Sequence, residues 1–362
     1  MHTIAQGIDK LQNILDSIGS RKLLMVIDSS YPFLNIKDSI EKTSQQKVTF
    51  SDFKPNPLYE DVCKGIDLFI NEDCDSILAV GGGSSIDVAK CIKLAVLANE
   101  GREGLIPPLV SKTLDIDGSR IPFIAIPTTA GTGSESTHNA VMYYQGSKQT
   151  VTNDGILPDY ALLEPKVLAT LPLYQKKCTM MDALCQGIES WWSVNSTDES
   201  KGYSKIAVEL ITKHWRNYIF DNDAYAAAQI MTAANYAGRA INIAATTAAH
   251  AMSYKITSLY NLPHGHAVAV CLPVIWEYML EIQPEISVFR HISKAMGYDS
   301  PGKAIAGFRE MMKQLELTNP VAVKRDTELE MLSKSVNPVR MKNNPVLIDE
   351  ELAWRLYNQI LS

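Results

Sequence analysis

The chain has 362 residues, 46% of them hydrophobic and 20% charged, a balance that excludes disorder and gives room for about two domains. Thirty-four basic residues against 40 acidic ones leave a formal net charge of −6. No cationic field is available to grip a phosphate backbone, so nucleic acid is excluded as the expected partner and a small molecule takes its place. The first 22 residues, MHTIAQGIDKLQNILDSIGSRK, mix polar and apolar residues and do not read as a secretory signal. No window is read as reaching the roughly 18 apolar residues of a membrane span. The expectation is a cytoplasmic protein with no membrane partner. Cys63, Cys74, Cys91, Cys178, Cys185 and Cys271 are scattered without a CxxC pair, which predicts buried free thiols.

In chain order, LLMVIDS (23–29) predicts a buried strand, VTF near 48 a second, and 58–72 a helix. SILAVGGG (76–83) predicts another buried strand, 84–98 a helix, and IPFIAIPTT (121–129) a further strand. Strand and helix alternating at this spacing predict a mostly parallel sheet with helices on both faces. Beyond about residue 160 the pattern changes to long helical periodicities at 175–195, 199–218, 223–258 and 301–316, with a polar surface helix and loop over 324–345. The predicted architecture is an α/β N-terminal domain over 1–160, with a mostly parallel sheet, followed by an all-α C-terminal domain over 161–362.

Three consecutive glycines open the string GGGSSIDVAK (81–90) directly after an apolar strand and before a helix. Glycines let the backbone approach a ligand, the helix start supplies unpaired N–H groups, and Ser84 adds a hydroxyl, so the turn suits a pyrophosphate; the alternative is a tight strand-to-helix turn. PTTAGTGSES (127–136) reads equally as a second wall of that site or as a polar loop. Asp28 ends the first clear strand, where a carboxylate can accept from an adenosine ribose and repel a 2′-phosphate, or simply cap a turn.

In the helical half, Asp182 and Gln186 lie four apart, as do His250 and Tyr254, so each pair shares a helix face. His264 and His266 follow in LPHGH, which places three of the seven histidines within seventeen residues. A carboxylate with imidazoles is a common donor set for a catalytic divalent metal; each histidine alone reads as an ordinary core or surface residue.

GGGSSIDVAK, PTTAGTGSE, MDALCQGIES, HAMSY and LPHGHAVAV, in this order and spacing, resemble the iron-containing (group III) alcohol dehydrogenases, relatives of glycerol dehydrogenase and dehydroquinate synthase. The resemblance covers nearly the whole chain. It implies a dehydroquinate synthase-like fold, a cleft between the two domains holding NAD(P) and one divalent metal, Fe2+ or Zn2+, and a homo-oligomer such as a dimer. It implies Asp28 at the adenosine ribose, Asn56 on the adenine side, and Gly82, Gly83 and Ser84 around the pyrophosphate, with Asp87 a further cofactor-binding residue. Thr128, Thr129, Thr132 and Thr137 would line the nicotinamide half, and Lys148 would reach its ribose. Asp28 favours NAD(H) over NADP(H).

The implied metal set is Asp182, Gln186, His250 and His264, with Gln186 standing where the family has a histidine; an amide oxygen is the weaker ligand, which leaves iron specificity open. Tyr254 stands at a second family histidine near the hydride-transfer site, and with a hydroxyl reference pKa near 10 it is a poor base. The family's N-terminal edge strand reads as absent or replaced by IAQGIDKL. Within the family the helical motifs most resemble the phosphonoacetaldehyde reductases, which implies reduction of a small phosphonate-bearing aldehyde. Arg239, Lys255 and His266 are then candidates for the dianion, with Thr247 and Asn242 beside them, although Arg239 and Lys255 read equally as exposed helix residues. The alternatives are a general alcohol or diol dehydrogenase, a dehydroquinate synthase-like lyase, and a non-catalytic cofactor-binding protein.

Overall fold

The computed structural model describes residues 2–98, 116–145, 147–336 and 338–362. It divides into two compact units, Met1–Leu171 and Pro172–Ser362.

The first unit is built on a six-stranded parallel sheet in the order β1-β8-β5-β4-β2-β3. The strands are β1 (Thr3–Gln6), β2 (Lys22–Ile27), β3 (Gln46–Phe50), β4 (Ser76–Gly81), β5 (Phe123–Pro127) and β8 (Tyr160–Leu163). β6 (Asn139–Tyr144) and β7 (Ser147–Thr152) form a separate antiparallel hairpin. β2, β4 and β5 are apolar on both faces because they lie in the middle of the sheet, where helices cover each side. β1 is a four-residue edge strand that pairs residue for residue with β8, from Thr3↔Tyr160 to Gln6↔Leu163. The edge strand read as absent is therefore present; it is short and half-exposed, so it carries no apolar run to announce it. β8 also moves the domain boundary. Residues 160–171 complete the first sheet and the turn after it, so the division falls after Leu171 and not after residue 160.

Helix α3 (Tyr59–Asn71) and the helix after the glycines, α4 (Gly83–Leu97), pack on this sheet through Val62, Ile66, Ile86, Val88, Ala89 and Ile92. The approach is close: a methyl group on Gly65 would lie 2.4 Å from Ile92 Cδ1. Short helices α1 (Leu11–Ser17) and α2 (Lys37–Glu41) complete the unit.

The described part of the second unit is helical throughout. Its central helix α5 (Leu173–Trp192) is buried from Lys176 onward apart from Thr179. Around it lie α6 (Asp198–Phe220), the alanine-rich α7 (Ala224–Ala244), α8 (Ala248–Tyr260) and α9 (His264–Ile282). The single helix expected over 223–258 is two, α7 and α8. Ala245 turns the chain with φ 56°, and the backbone N–H groups of Thr247, Ala249 and His250 are drawn to a carboxylate on α5.

By length and mean hydropathy α9 meets the test for a membrane-spanning helix, as a core helix also can, but 72% of its 18-residue window is buried inside the fold. An apolar helix surrounded on all sides by other helices needs no polar face. Helices α10 (Ser287–Ala295), α11 (Pro301–Gln314), α12 (Arg325–Lys334), α13 (Pro338–Met341) and α14 (Glu350–Ile360) finish the chain, and Asn337, within the predicted polar stretch, lies outside the described residues. All six cysteines are free and five are buried.

Candidate metal centre and nucleotide site

In the first unit Asp28, the glycine turn and Thr128 stand at the carboxyl ends of β2, β4 and β5. The chain leaves β2 for β3 on one side and returns to β4 on the other, and such a switch in strand order opens a crevice at the strand ends. Asp28, one residue past β2, accepts from the Gly82 N–H (3.3 Å) and the Ser85 hydroxyl (3.2 Å) through one carboxylate oxygen. Its other oxygen accepts from the Ser30 N–H (2.9 Å) and hydroxyl (2.5 Å). Asp28 thus ties β2 to the glycine turn. Gly81 has no alternative there, because a Cβ would stand 2.2 Å from Ser85 Oγ and 2.6 Å from Asp28 Oδ2.

No side chain caps the start of α4 at Gly82. Helix N-termini carry N–H groups without intrahelical partners and a partial positive charge, a ready seat for an anion. Asn56, in the left-handed region at φ 59°, donates its backbone N–H to Ser84 Oγ at 3.3 Å. The 128–137 loop closes on the same turn: the Thr128 N–H donates to Gly81 O at 3.0 Å, and Thr129 and Thr132 are the nearest neighbours of Gly82 and Gly83.

Asp87 and Thr137 are placed differently from Asn56 and the other threonines. Both Asp87 oxygens are taken, by the Ser134 hydroxyl (2.7 Å) and the Val141 N–H (3.0 Å), and burial raises its carboxyl above the usual range against the pull of Lys90 and Lys148. Thr137 meets Lys90, a fully buried lysine that composition and spacing did not single out. The Lys90 ammonium donates to Ser134 O (2.6 Å), Ser134 Oγ (3.0 Å), Thr137 Oγ1 (2.9 Å) and Asn139 O (2.8 Å). Burial lowers it to about 8, against the attraction of Asp87 and Glu135. Lys90, Asp87 and Thr137 together brace the loop from inside. Lys148 stands on β7 opposite Tyr143, near enough to act on Asp87.

In the second unit, three helices deliver one donor each to a single point. Asp182 from α5, His250 from α8 and His264 from α9 place a ligand atom apiece within 4.8 Å of one another. His250 Nε2 is 3.3 Å and His264 Nε2 4.0 Å from Asp182 Oδ1. Asp182 and His250 are buried, while His264 is the partly open member. The two imidazoles meet edge to face at 5.4 Å between centroids, and the Tyr254 ring lies nearly parallel to His264, 5.7 Å away and tilted 10°. Gln186, one turn after Asp182 on α5, is buried on the same face. A carboxylate and two imidazoles, converging from three helices and largely withdrawn from water, fit a divalent metal with positions left open.

Glu189 was not anticipated, although it sits seven residues past Asp182, two turns along the same stripe. It is fully buried, and its carboxylate meets His250 Nδ1. Burial opposes charge on the imidazole, but Glu189 and Asp182 outweigh it and raise His250 to about 9. Burial would raise Glu189, and His250 with its hydrogen bonds holds it below the usual carboxylate value.

Gly265 sets how closely α9 approaches α5. A Cβ there would lie 2.0 Å from Cys178 O and 2.8 Å from Asp182 Cβ. Gly265→Ala must push the helices apart, which costs about 1–3 kcal/mol and takes His264 away from Asp182. Thermal unfolding and a metal titration check this; a variant matching wild type in both would contradict it.

Two of the residues expected to meet an anionic substrate, His266 and Arg239, are engaged with other groups of the protein. His266 is a correction. It is buried with both nitrogens occupied: the Tyr174 hydroxyl donates to Nδ1 (2.8 Å) and Nε2–H donates to Thr318 O (2.8 Å), and burial lowers its pKa. Arg239 lies over the Tyr203 ring at 3.9 Å and near Tyr236, with its guanidinium donating to the Tyr203 hydroxyl. Lys255 is half-buried on α8, five residues past His250 and so off the face that carries His250 and Tyr254.

A model of the iron-containing alcohol dehydrogenase family matches residues 3–165, and its C-terminal counterpart matches residues 177–360. The NAD-dependent methanol dehydrogenase of Bacillus methanolicus is 30% identical over 303 residues, 82% of this chain and 78% of that one. The phosphonoacetaldehyde reductase of Streptomyces viridochromogenes is 35% identical over 216 residues, 56% of this chain and 53% of that one. A crystal structure of a 1,3-propanediol oxidoreductase superposes with a TM-score of 0.89 at 25% identity, covering 99% of this chain and 98% of its own. With both compact units matched in sequence and the fold shared end to end, the chain belongs to the iron-containing alcohol dehydrogenase family and is an oxidoreductase.

Proposed function

We propose that the protein reduces a small aldehyde to its alcohol with NADH and one divalent metal, and that phosphonoacetaldehyde is the first substrate to test. The observation that carries the reading is the convergence of Asp182, His250 and His264. When bound, the ion supplies Lewis-acid polarisation of the aldehyde oxygen. Asp182, His250 and His264 would hold it, with Gln186 as a candidate fourth oxygen. Glu189 keeps a proton on His250 Nδ1, and Tyr254, lying against His264, restricts the tilt of that ring. In the first unit, the uncapped start of α4 suits the cofactor's pyrophosphate, and the Asp28 carboxylate disfavours a 2′-phosphate. The relative named for NAD supports that cofactor. The net negative charge supports a small-molecule partner over nucleic acid.

A second reading, a dehydrogenase of simple alcohols or diols, is favoured by a specific observation: both ring nitrogens of His266 and the Arg239 guanidinium already have partners within the protein. The methanol dehydrogenase relative and the 1,3-propanediol dehydrogenase of Citrobacter freundii, 31% identical over 79% of this chain and 74% of that one, support it too. A panel of short aldehydes with and without a phosphonate tail, assayed with NADH and NADPH, separates the two. A preference for the phosphonate aldehyde supports the first reading; equal or better turnover of the untailed aldehydes gives the second.

If Gln186 contributes an amide oxygen, Gln186→His should tighten binding of a first-row divalent ion about tenfold or more, because imidazole is the stronger donor. Competition titration against a chelator measures this, and unchanged affinity would remove Gln186 from the ligand set.

A further inference from the structure

We infer that Glu189 is the positioning residue of the metal centre, dictating which nitrogen of His250 is offered to the ion; the inference rests on the metal reading above. Two sets of contacts carry it, one on each carboxylate oxygen. Oε1 accepts from the Thr247 N–H (3.1 Å), the Thr247 hydroxyl (2.7 Å), the Ala249 N–H (2.9 Å) and the His250 N–H (3.3 Å). These are the groups at the start of α8, where Thr247 provides no side-chain cap of its own. A carboxylate from a neighbouring helix therefore caps α8, where the helix end also favours negative charge. Oε2 is left for the imidazole and faces His250 Nδ1.

The consequence is chemical. A neutral imidazole carries one proton, and the nitrogen without it is the one that can bind a metal. Each ring nitrogen of His250 faces a carboxylate, Nδ1 at Glu189 and Nε2 at Asp182 3.3 Å away. An ion held beside Asp182 needs a nitrogen that has given up its proton, and Glu189, purely an acceptor, keeps the proton on Nδ1 so that the Nε2 proton is the one given up. Because Glu189 and Asp182 lie seven residues apart on one face of α5, a single helix supplies both a ligand and the group that orients a ligand on α8. The Trp192 indole N–H, donating to the Thr247 hydroxyl at 2.8 Å, steadies the same corner.

Glu189→Gln separates orientation from support. Its amide oxygen must stay on the three N–H groups and the hydroxyl, which only an acceptor can satisfy. The NH2 group then faces His250 Nδ1 and makes that nitrogen an acceptor, which moves the ring proton to Nε2. A residue that merely held the two helices together would be served as well by glutamine.

The test is titration of Co2+ or Zn2+ into metal-free protein against a competing chelator, with thermal unfolding of each metal-free variant alongside. Glu189→Gln should retain a wild-type unfolding profile and bind the ion about 10–100-fold more weakly, the usual effect of removing a group that supports a ligand. Thr247→Val, which removes one partner of Oε1 and leaves Oε2 in place, should bind within about threefold of wild type. A Glu189→Gln protein that binds metal as tightly as wild type overturns the inference while leaving the metal reading intact. Wild type that binds neither ion overturns the metal reading itself. Should Glu189→Gln not fold, an experimental structure of the metal-loaded wild type decides. An ion on His250 Nε2 with Nδ1 on Glu189 supports the inference, and an ion on Nδ1 overturns it.

Discussion

His264→Ala is expected to lose its divalent metal on dialysis and to reduce aldehydes at least about 1000-fold more slowly than wild type, equivalent to roughly 4 kcal/mol of lost barrier lowering. His264 is one of three converging donors and the most open of them, so its removal leaves Asp182 and His250 with an incomplete set. NADH binding should change by no more than about threefold, because the residues proposed for the cofactor's phosphates belong to the other compact unit. Metal analysis, steady-state turnover and NADH fluorescence titration measure the three quantities separately. Turnover persisting in metal-free His264→Ala would remove the ion from the mechanism. Loss of NADH binding together with metal would point to general unfolding.

Lys90→Met should be the most damaging single change to the first unit. The fully buried ammonium holds four oxygens between residues 134 and 139 and faces the buried Asp87 carboxylate. Methionine fills similar space but leaves the carbonyls of Ser134 and Asn139 and the Asp87 charge uncompensated. Breaking a buried charged network in this way costs about 3–5 kcal/mol, and the melting temperature of a unit this size should fall by of order 10 °C.

A pH dependence follows from the same residue. Lys90 is near 8 in the folded protein against 10.5 for an ordinary lysine, so between those values the unfolded chain binds more protons and stability rises with pH. Methionine cannot titrate, and the stability gap between wild type and variant should widen as pH goes from about 8 toward 10. Denaturant unfolding across that range checks the sign. A gap that narrows would mean that Lys90 does not carry a lowered pKa, and a melting temperature unchanged from wild type would deny it the bracing role.

How much of this was legible from the residues depends on what each position is surrounded by. β2, β4 and β5 could be read because central parallel strands are apolar on both faces, and the glycine turn because a Cβ at Gly81 has nowhere to go. β1 could not, because a four-residue edge strand needs only its backbone partner on β8. The break between α7 and α8 was hidden because alanines and threonines from 240 to 251 suit a continuous helix; the carboxylate that captures the start of α8 comes from α5. Asp182, His250 and His264 stood out through residue type and spacing. Glu189 shared their stripe but looked like one more helical glutamate, and Lys90 like the end of a glycine motif. His266 was drawn into the candidate site by its proximity to His264 in sequence, yet the two are not on one face of α9, and His266 turns to Tyr174 and Thr318.

The most direct test of a metal-dependent oxidoreductase is NADH consumption with a short aldehyde, before chelation, after complete removal of divalent ions, and after adding back Fe2+ or Zn2+. Activity should disappear with the metal and return with it, in proportion to the amount rebound and up to one ion per chain. Full turnover in protein shown by elemental analysis to be metal-free would contradict the assignment of Asp182, His250 and His264 as the catalytic metal centre.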